Sequence, residues 1–267
     1  MVEIDHVGHA YLTREREIRA IEEVTTTIHK GEFVSIVGPS GCGKSTLLNI
    51  MAGFIAPTQG EVRANGVKVQ GKIPPGLGYI FQKDTVLPWY RVCDNVALGL
   101  RYRGQSNAEI KAKVTSLLAL GGLEGFGDVY PHQLSGGMRR RVALLMTLAC
   151  DPSILLLDEP FGALDTHTMT LLHRELIGIW RKMGQTIVLV THNLDEAVTL
   201  SDRVLVLSGP PSRIILDHRV DLPHPRDVFS LRETVGFAHH FQTIWRVVGE
   251  QFRTTSAQGM RPEGQVV

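Results

Sequence analysis

The chain has 267 residues, with 28 Lys+Arg against 27 Asp+Glu and a formal net charge of +1. That balance excludes the dense basic surface that non-specific nucleic-acid binding needs to displace counterions from phosphates. Cys42, Cys93 and Cys150 are widely spaced and form no CxxC pair, which argues against a disulfide framework or a structural zinc.

At 43% hydrophobic and 21% charged residues, the composition is that of a soluble globular protein of one large domain, or one with a sizeable insertion. The opening MVEIDHVGHA has neither the basic nor the apolar region of a signal peptide. No apolar run approaches the roughly 18 residues needed to cross a bilayer. Any membrane role is therefore expected to come through a partner.

In chain order, EFVSIV (Glu32 to Val37) is β-branched, apolar and bounded by glycines, and predicts a buried strand. KSTLLNIMAG predicts a helix stopped at Gly53. EVRANGVKV sets Asn65-Gly66 between two alternating runs, a two-residue hairpin signal, and Leu77 to Gln82 predicts another strand. From about Thr85 to Cys150 the apolar spacing becomes helical, in VCDNVALGLRY and in AEIKAKVTSLLAL with Asn107 as its N-cap. Strand character returns in ILLLDE, TIVLVTH and RVLVLS, separated by helical stretches at Met169–Lys182 and Leu194–Leu200. That alternation predicts a parallel sheet covered by helices on both faces, interrupted by a helical insertion.

Gly38-Pro39-Ser40-Gly41-Cys42-Gly43-Lys44-Ser45-Thr46 fits GxxxxGK[ST] between a predicted strand and helix. Glycines let successive backbone N–H groups wrap a phosphate, and the helix start adds its positive end. Lys44 would neutralise β- and γ-phosphate oxygens, and Ser45 would offer a hydroxyl to Mg²⁺. Cys42 inside this cradle is expected to be an inert small residue.

The strand ILLLDE ends in two acids at the edge where open α/β sheets bind ligands. Asp158 suits Mg²⁺ coordination. Glu159 could polarise an attacking water as general base. Leu134-Ser135-Gly136-Gly137-Met138 opens an apolar helical run, either as a flexible capping turn or as a second anion site.

Together these residues resemble the ATP-binding cassette (ABC) ATPases across nearly the whole chain. Gly38–Thr46 is similar to the Walker A loop, Gln82 to the Q-loop glutamine, LSGGM to the signature, LLLDEP to Walker B, Ala163-Leu164-Asp165 to the D-loop and His192 to the switch histidine. Leu87-Pro88-Trp89, DNVALGL and RIILDHRVDLPHPR narrow the likeness to importers of the nitrate, sulfonate and taurine type.

The resemblance implies an α/β P-loop NTPase fold: a parallel-sheet core, an antiparallel β subdomain and an inserted helical subdomain. Residues 1–254 would form the ATPase domain, its core at about 1–84 and 151–220 and its helical subdomain at about 85–150. A C-terminal helix would cover about 228–252, and 255–267 would be disordered.

The resemblance also implies a head-to-tail homodimer that sandwiches ATP and Mg²⁺. Ser135, Gly136 and Gly137 of one subunit would reach the nucleotide of the other, with Asp165 ordering the interface. Gln82 would sense Mg²⁺ and the lytic water, and His192 would hold the γ-phosphate. Tyr11, upstream of the first strand, is either the adenine platform or plain packing.

Permease subunits would be direct partners and an extracellular or periplasmic solute-binding protein an indirect one, with no nucleic acid. The place of work would be the cytoplasmic face of the cell membrane. Alternatives from the same residues are an ABC ATPase of another transporter class, a soluble ABC ATPase acting on DNA or ribosomes, a silent nucleotide-gated module and a P-loop kinase. Intact Lys44, Asp158, Glu159 and His192, a single Walker A and the signature stand against the last three.

Other residues have plainer expectations. Arg139-Arg140-Arg141 predicts a helix face with ion pairs, Arg140 and Met146 departing from the residues frequent in the family. His167, His173, His239 and His240 predict solvated helix faces without a metal. Trp89 is either exposed for a partner or buried.

Overall fold

The computed structural model describes residues 1–259 except Glu15, Asp84, Ala163 and Leu164, with side chains as far as Gln251. In chain order its elements begin with β1 (Val2–Leu12), β2 (Glu17–Ile28), β3 (Phe33–Val37), α1 (Lys44–Ala52), β4 (Gln59–Ala64), β5 (Val67–Lys68) and β6 (Leu77–Ile80). Helices α2 (Val92–Tyr102), α3 (Asn107–Leu120) and α4 (Gly136–Leu148) follow. The chain then alternates through β7 (Ile154–Asp158), α5 (Thr166–Met183), β8 (Thr186–Val190), α6 (Leu194–Leu200), β9 (Arg203–Leu207), β10 (Ser212–Arg219) and α7 (Val235–Gly259). It divides into two compact units, Met1–Lys72 with Val190–Val267, and Ile73–Leu189.

The first unit carries a mixed sheet in the order β5-β4-β1-β2-β10-β9-β3. β1 pairs antiparallel with β2 and β4, and β3 runs parallel to β9. Every residue of β3 is buried, as a parallel strand covered on both faces requires. Two strands precede β3, so Tyr11 lies within β1 rather than upstream of the first strand. The Asn65-Gly66 hairpin forms as expected, with φ of 50° and 78° at its two turn residues.

Val37 and Val206 pack in one apolar cluster with Val198 of α6 and with Phe237, Ile244 and Val248 of α7. Arg226 fastens the connector before α7. Its guanidinium donates to the carbonyls of Val198, Thr199 and Ser201 at the end of α6, and to those of Val220 and Leu222. These include carbonyls that the end of a helix leaves without an internal donor. Burial pushes the Arg226 pKa down, opposed by Asp202 at 3.7 Å.

The C-terminal helix starts at Val235, later than the expected 228. Asp227 captures the N–H of Phe229 and the hydroxyl of Ser230, diverting the chain into a short turn, and Thr234 then accepts from the N–H of Phe237. The helix runs on to Gly259, past the expected 252. No glycine or proline interrupts the chain from Glu250 to Gln258, so backbone expected to be disordered from 255 is helical to 259. Residues 260–267 of that expected tail lie outside the described residues.

In the second unit β7 lies between β8 and β6, and β6 runs parallel to β7 with Tyr79 opposite Leu156. The last residue of β8 falls in the first unit. Between β6 and β7 the described residues form helices α2, α3 and α4 and a short 3-10 turn, Pro131–Gln133.

The N-cap of α3 is Ser106, one residue before the expected Asn107. Glu109 accepts from both the N–H and the hydroxyl of Ser106, and the Ser106 hydroxyl accepts from the Glu109 N–H, a reciprocal box that Asn107 has no glutamate placed to complete. Asn95, fully buried, donates to the carbonyls of Leu87, Tyr90 and Arg91 and accepts from the Leu87 N–H. It fixes the turn that carries Trp89, which is 68% exposed. His173 is buried and meets Phe161 edge-on at 4.9 Å, so it is a core residue rather than part of a solvated face. Among the described residues no helix is long and apolar enough to cross a membrane.

Candidate functional site

In the first unit β3 ends at Val37 and the chain wraps through Gly38–Gly43 before α1 begins at Lys44. Gly43 closes the loop at φ 98°, and a Cβ there would sit 3.0 Å from the Ala20 carbonyl oxygen, so only glycine turns the chain into the helix at this point. Lys44 is 6% exposed, and its ammonium donates to the carbonyls of Gly38 and Pro39, each at 2.9 Å. The loop thereby folds around its own cation, which lies at the positive end of α1.

Burial pushes the Cys42 thiol up, outweighing the opposing effect of Lys44, so the residue stays a thiol as expected. Tyr11 is partly exposed at the end of β1, and its hydroxyl shares a 3.1 Å hydrogen bond with Thr46 of α1. His9 meets its ring edge-on at 4.6 Å.

His192 is exposed in the turn between β8 and α6. The flanking residues are rigidly bonded. The Thr191 hydroxyl donates to Glu196 in a short contact and accepts from the Asn193 N–H at 3.0 Å, and Asn193 caps α6 at the Glu196 N–H. Glu196 is itself buried, so the histidine stands on a turn with little freedom to shift.

In the second unit Asp158 ends β7 at 9% exposure. The Tyr79 phenol on β6 donates to its Oδ2 at 3.3 Å. Burial, then the Asp158 charge, push the phenol pKa up, so the hydroxyl keeps the proton it donates. Tyr79 carries no motif, and its one sequence signal is that LGYI has the length and pattern to pair beside LLLD.

Glu159 follows with φ 43°, in the left-handed region that few non-glycine residues adopt. The Gln82 amide donates to Glu159 Oε2 at 3.2 Å. Two residues expected to act on one water are therefore already in contact.

Ser135 is the N-cap of α4, its hydroxyl accepting from the Met138 N–H at 3.2 Å. A Cβ on Gly137 would lie 2.4 Å from Thr168 Cγ2, so the glycine lets α4 and α5 approach. A Cβ on Gly136 would meet only the far end of the Arg139 side chain, at 4.0 Å. Asp165 caps α5 at the Thr168 N–H at 3.0 Å, and the Thr168 backbone and hydroxyl hold its carboxyl below the usual range. Ala163 and Leu164, expected in the same loop, lie outside the described residues.

On the Arg139–Arg141 face, Arg141 pairs with Glu175 at 3.3 Å, Arg139 donates to the Leu134 carbonyl, and Arg140 donates to backbone carbonyls of the acid-bearing loop. Among the described residues no cluster of three or more His, Cys, Asp or Glu could hold a metal by itself.

A glycine loop between strand and helix with a buried lysine, and an acid-tipped parallel strand, define the class of P-loop nucleotide hydrolases. The family model described as ABC transporter matches residues 21–162. The chain is 40% identical over 252 residues to an uncharacterized ABC transporter ATP-binding protein of Methanocaldococcus jannaschii, covering 94% of this chain and 92% of that one. It is 42% identical to the taurine import ATP-binding protein TauB of Rhizobium johnstonii, covering 83% and 84% of the two chains. To the aliphatic sulfonates import ATP-binding protein SsuB of Bacillus cereus it is 39% identical, covering 94% and 95%.

Among solved structures, the dimeric post-hydrolysis state of an ATP-binding cassette bound to ADP and Pi superposes with a TM-score of 0.73 at 32% identity, covering 84% of this chain and all of that one. The chain belongs to the ABC transporter ATP-binding family and is an ATPase.

Proposed function

We propose that this ATPase is the energy-coupling subunit of an importer of small anionic solutes of the sulfonate and taurine class. It works as a homodimer, peripheral to the cytoplasmic face of the membrane and beneath permease subunits. What carries this reading is similarity over 83% and 94% of the chain to relatives named for import of taurine and of aliphatic sulfonates.

The donors that would face a metal are a hydroxyl (Ser45), a carboxylate (Asp158) and an amide oxygen (Gln82), a hard-oxygen set that fits Mg²⁺. Mg²⁺ held by these residues would supply positive charge against the phosphate oxygens. The backbone N–H groups of Gly38 to Thr46 wrap the phosphates, and Lys44 exchanges its carbonyl partners for phosphate oxygens. Tyr11, anchored through Thr46, offers its ring face to adenine.

Glu159 accepts the proton of the attacking water, with Gln82 holding its carboxylate in aim. His192 keeps water and γ-phosphate in line from its braced turn. Ser135, Gly136 and Gly137 of the second copy close over the same nucleotide, with Asp165 ordering the seam. The helical stretch at 85–150, with Trp89 exposed on it, passes closure to the permease.

Two experiments test this. In a bacterium lacking its own taurine-import ATP-binding subunit, the gene should restore growth on taurine as sole sulfur source. Failure there, with growth restored on another solute, would overturn the solute class. For the dimer, ATPase rate should rise more steeply than linearly with protein concentration. Ser135→Arg should leave ATP affinity within about 3-fold while turnover falls at least about 10-fold, since charge and bulk obstruct closure rather than binding. Unchanged turnover would remove the signature from the mechanism.

A further inference from the structure

Arg140 lies on α4, the helix that opens at Ser135, yet its guanidinium serves the opposite side of the chemistry. Nε donates to the Pro160 carbonyl in a short contact, Nη2 reaches the Glu159 carbonyl at 3.4 Å and Nη1 the Lys83 carbonyl at 3.5 Å. The last two of these bonds are long. One planar fork thus spans the two chain segments that carry Glu159 and Gln82. The side chains of those segments meet each other at 3.2 Å. Glu159 needs holding, because its φ of 43° is a conformation that a non-glycine residue leaves readily. Arg140 lines one small, mostly apolar cavity together with Ile80, Leu157, Pro160 and Phe161.

We infer that Arg140 is a positioning residue for ATP hydrolysis: it clamps the backbones of Lys83, Glu159 and Pro160, so that the Glu159 carboxylate and the Gln82 amide keep one mutual geometry, set from the helix that carries the signature. The inference rests on Glu159 acting as general base. Lysine could not replace this clamp, since a single ammonium does not reach three carbonyls in a plane. Glutamine, with two N–H donors on a shorter stem, could restore it in part.

The test is a series of Arg140→Ala, Arg140→Gln and Arg140→Lys in the full chain, each also combined with Glu159→Gln. Arg140→Ala should lower kcat about 10- to 100-fold with KM for ATP changed less than about 2-fold, the effect expected when a catalytic group loses its aim rather than its ligand. Arg140→Gln should recover part of the loss and Arg140→Lys little. Hydrogen exchange should speed up in peptides covering 81–86 and 158–162, and not in α7. In the Glu159→Gln background, single-turnover measurements should show less than about a 2-fold further loss, because the aimed group is gone.

Wild-type kcat in Arg140→Ala would overturn the inference. So would an equal fold-loss with and without Glu159, or faster exchange spread over the whole chain in all three variants. A Glu159→Gln variant with wild-type turnover is a different failure, since it would remove the general-base assignment itself.

Discussion

Glu159→Gln should lower the steady-state ATPase rate roughly 10²- to 10⁴-fold, about 3–5 kcal/mol of barrier, with ATP affinity held within about 3-fold. The substitution keeps volume and hydrogen-bonding reach, so the contact with Gln82 can persist through the remaining carbonyl oxygen. The carbonyl of residue 159 still faces Arg140. What disappears is the oxygen able to take a proton from water. The loss should therefore fall on kcat, which phosphate release measured beside a nucleotide titration would separate from binding. A matching loss of affinity would instead mean that Glu159 holds the nucleotide, and a wild-type rate would transfer the proton to another group.

Lys44→Ala should weaken ATP binding by at least about 100-fold. Each charge-assisted hydrogen bond to phosphate contributes about 1.5–3 kcal/mol, and the ammonium would serve two phosphate groups. Lys44 is buried, at 6% exposure. Its removal also strips the carbonyls of Gly38 and Pro39 of their donor, which loosens the loop before ligand arrives. Calorimetric titration with ATP, alongside a melting curve to show that the variant folds, distinguishes the two contributions. Normal affinity would sink the assignment of Gly38–Thr46 as the phosphate cradle.

What could be read from the sequence was local. The glycine loop, α1 with its stop at Gly53, the Asn65-Gly66 turn and α6 at Leu194–Leu200 each depend on neighbours within a few residues, and each stands where expected. β1 and β2 escaped because their pairing slips. Register shifts between Ile4, Val7 and His9 break the alternation, and buried positions run together at Val7-Gly8-His9. Charges along the outer positions of β2 hide its strand character further. The parts of the site contributed by Tyr79 and Arg140 were illegible for another reason. Their partners are a strand-tip carboxylate and backbone carbonyls far along the chain, and such partners leave no mark on residue type. His173 misleads likewise, since only packing against Phe161 shows a polar residue to be core.

The left-handed backbone at Glu159 sets stability against function at a single residue. A non-glycine residue held there costs roughly 1–3 kcal/mol, which glycine would largely recover. A screen that rewards thermal resistance alone would drift toward replacing this glutamate, and its best-scoring clones would be inert. Engineering a hardier form of this chain therefore calls for turnover to be assayed at every round, with position 159 withheld from the library.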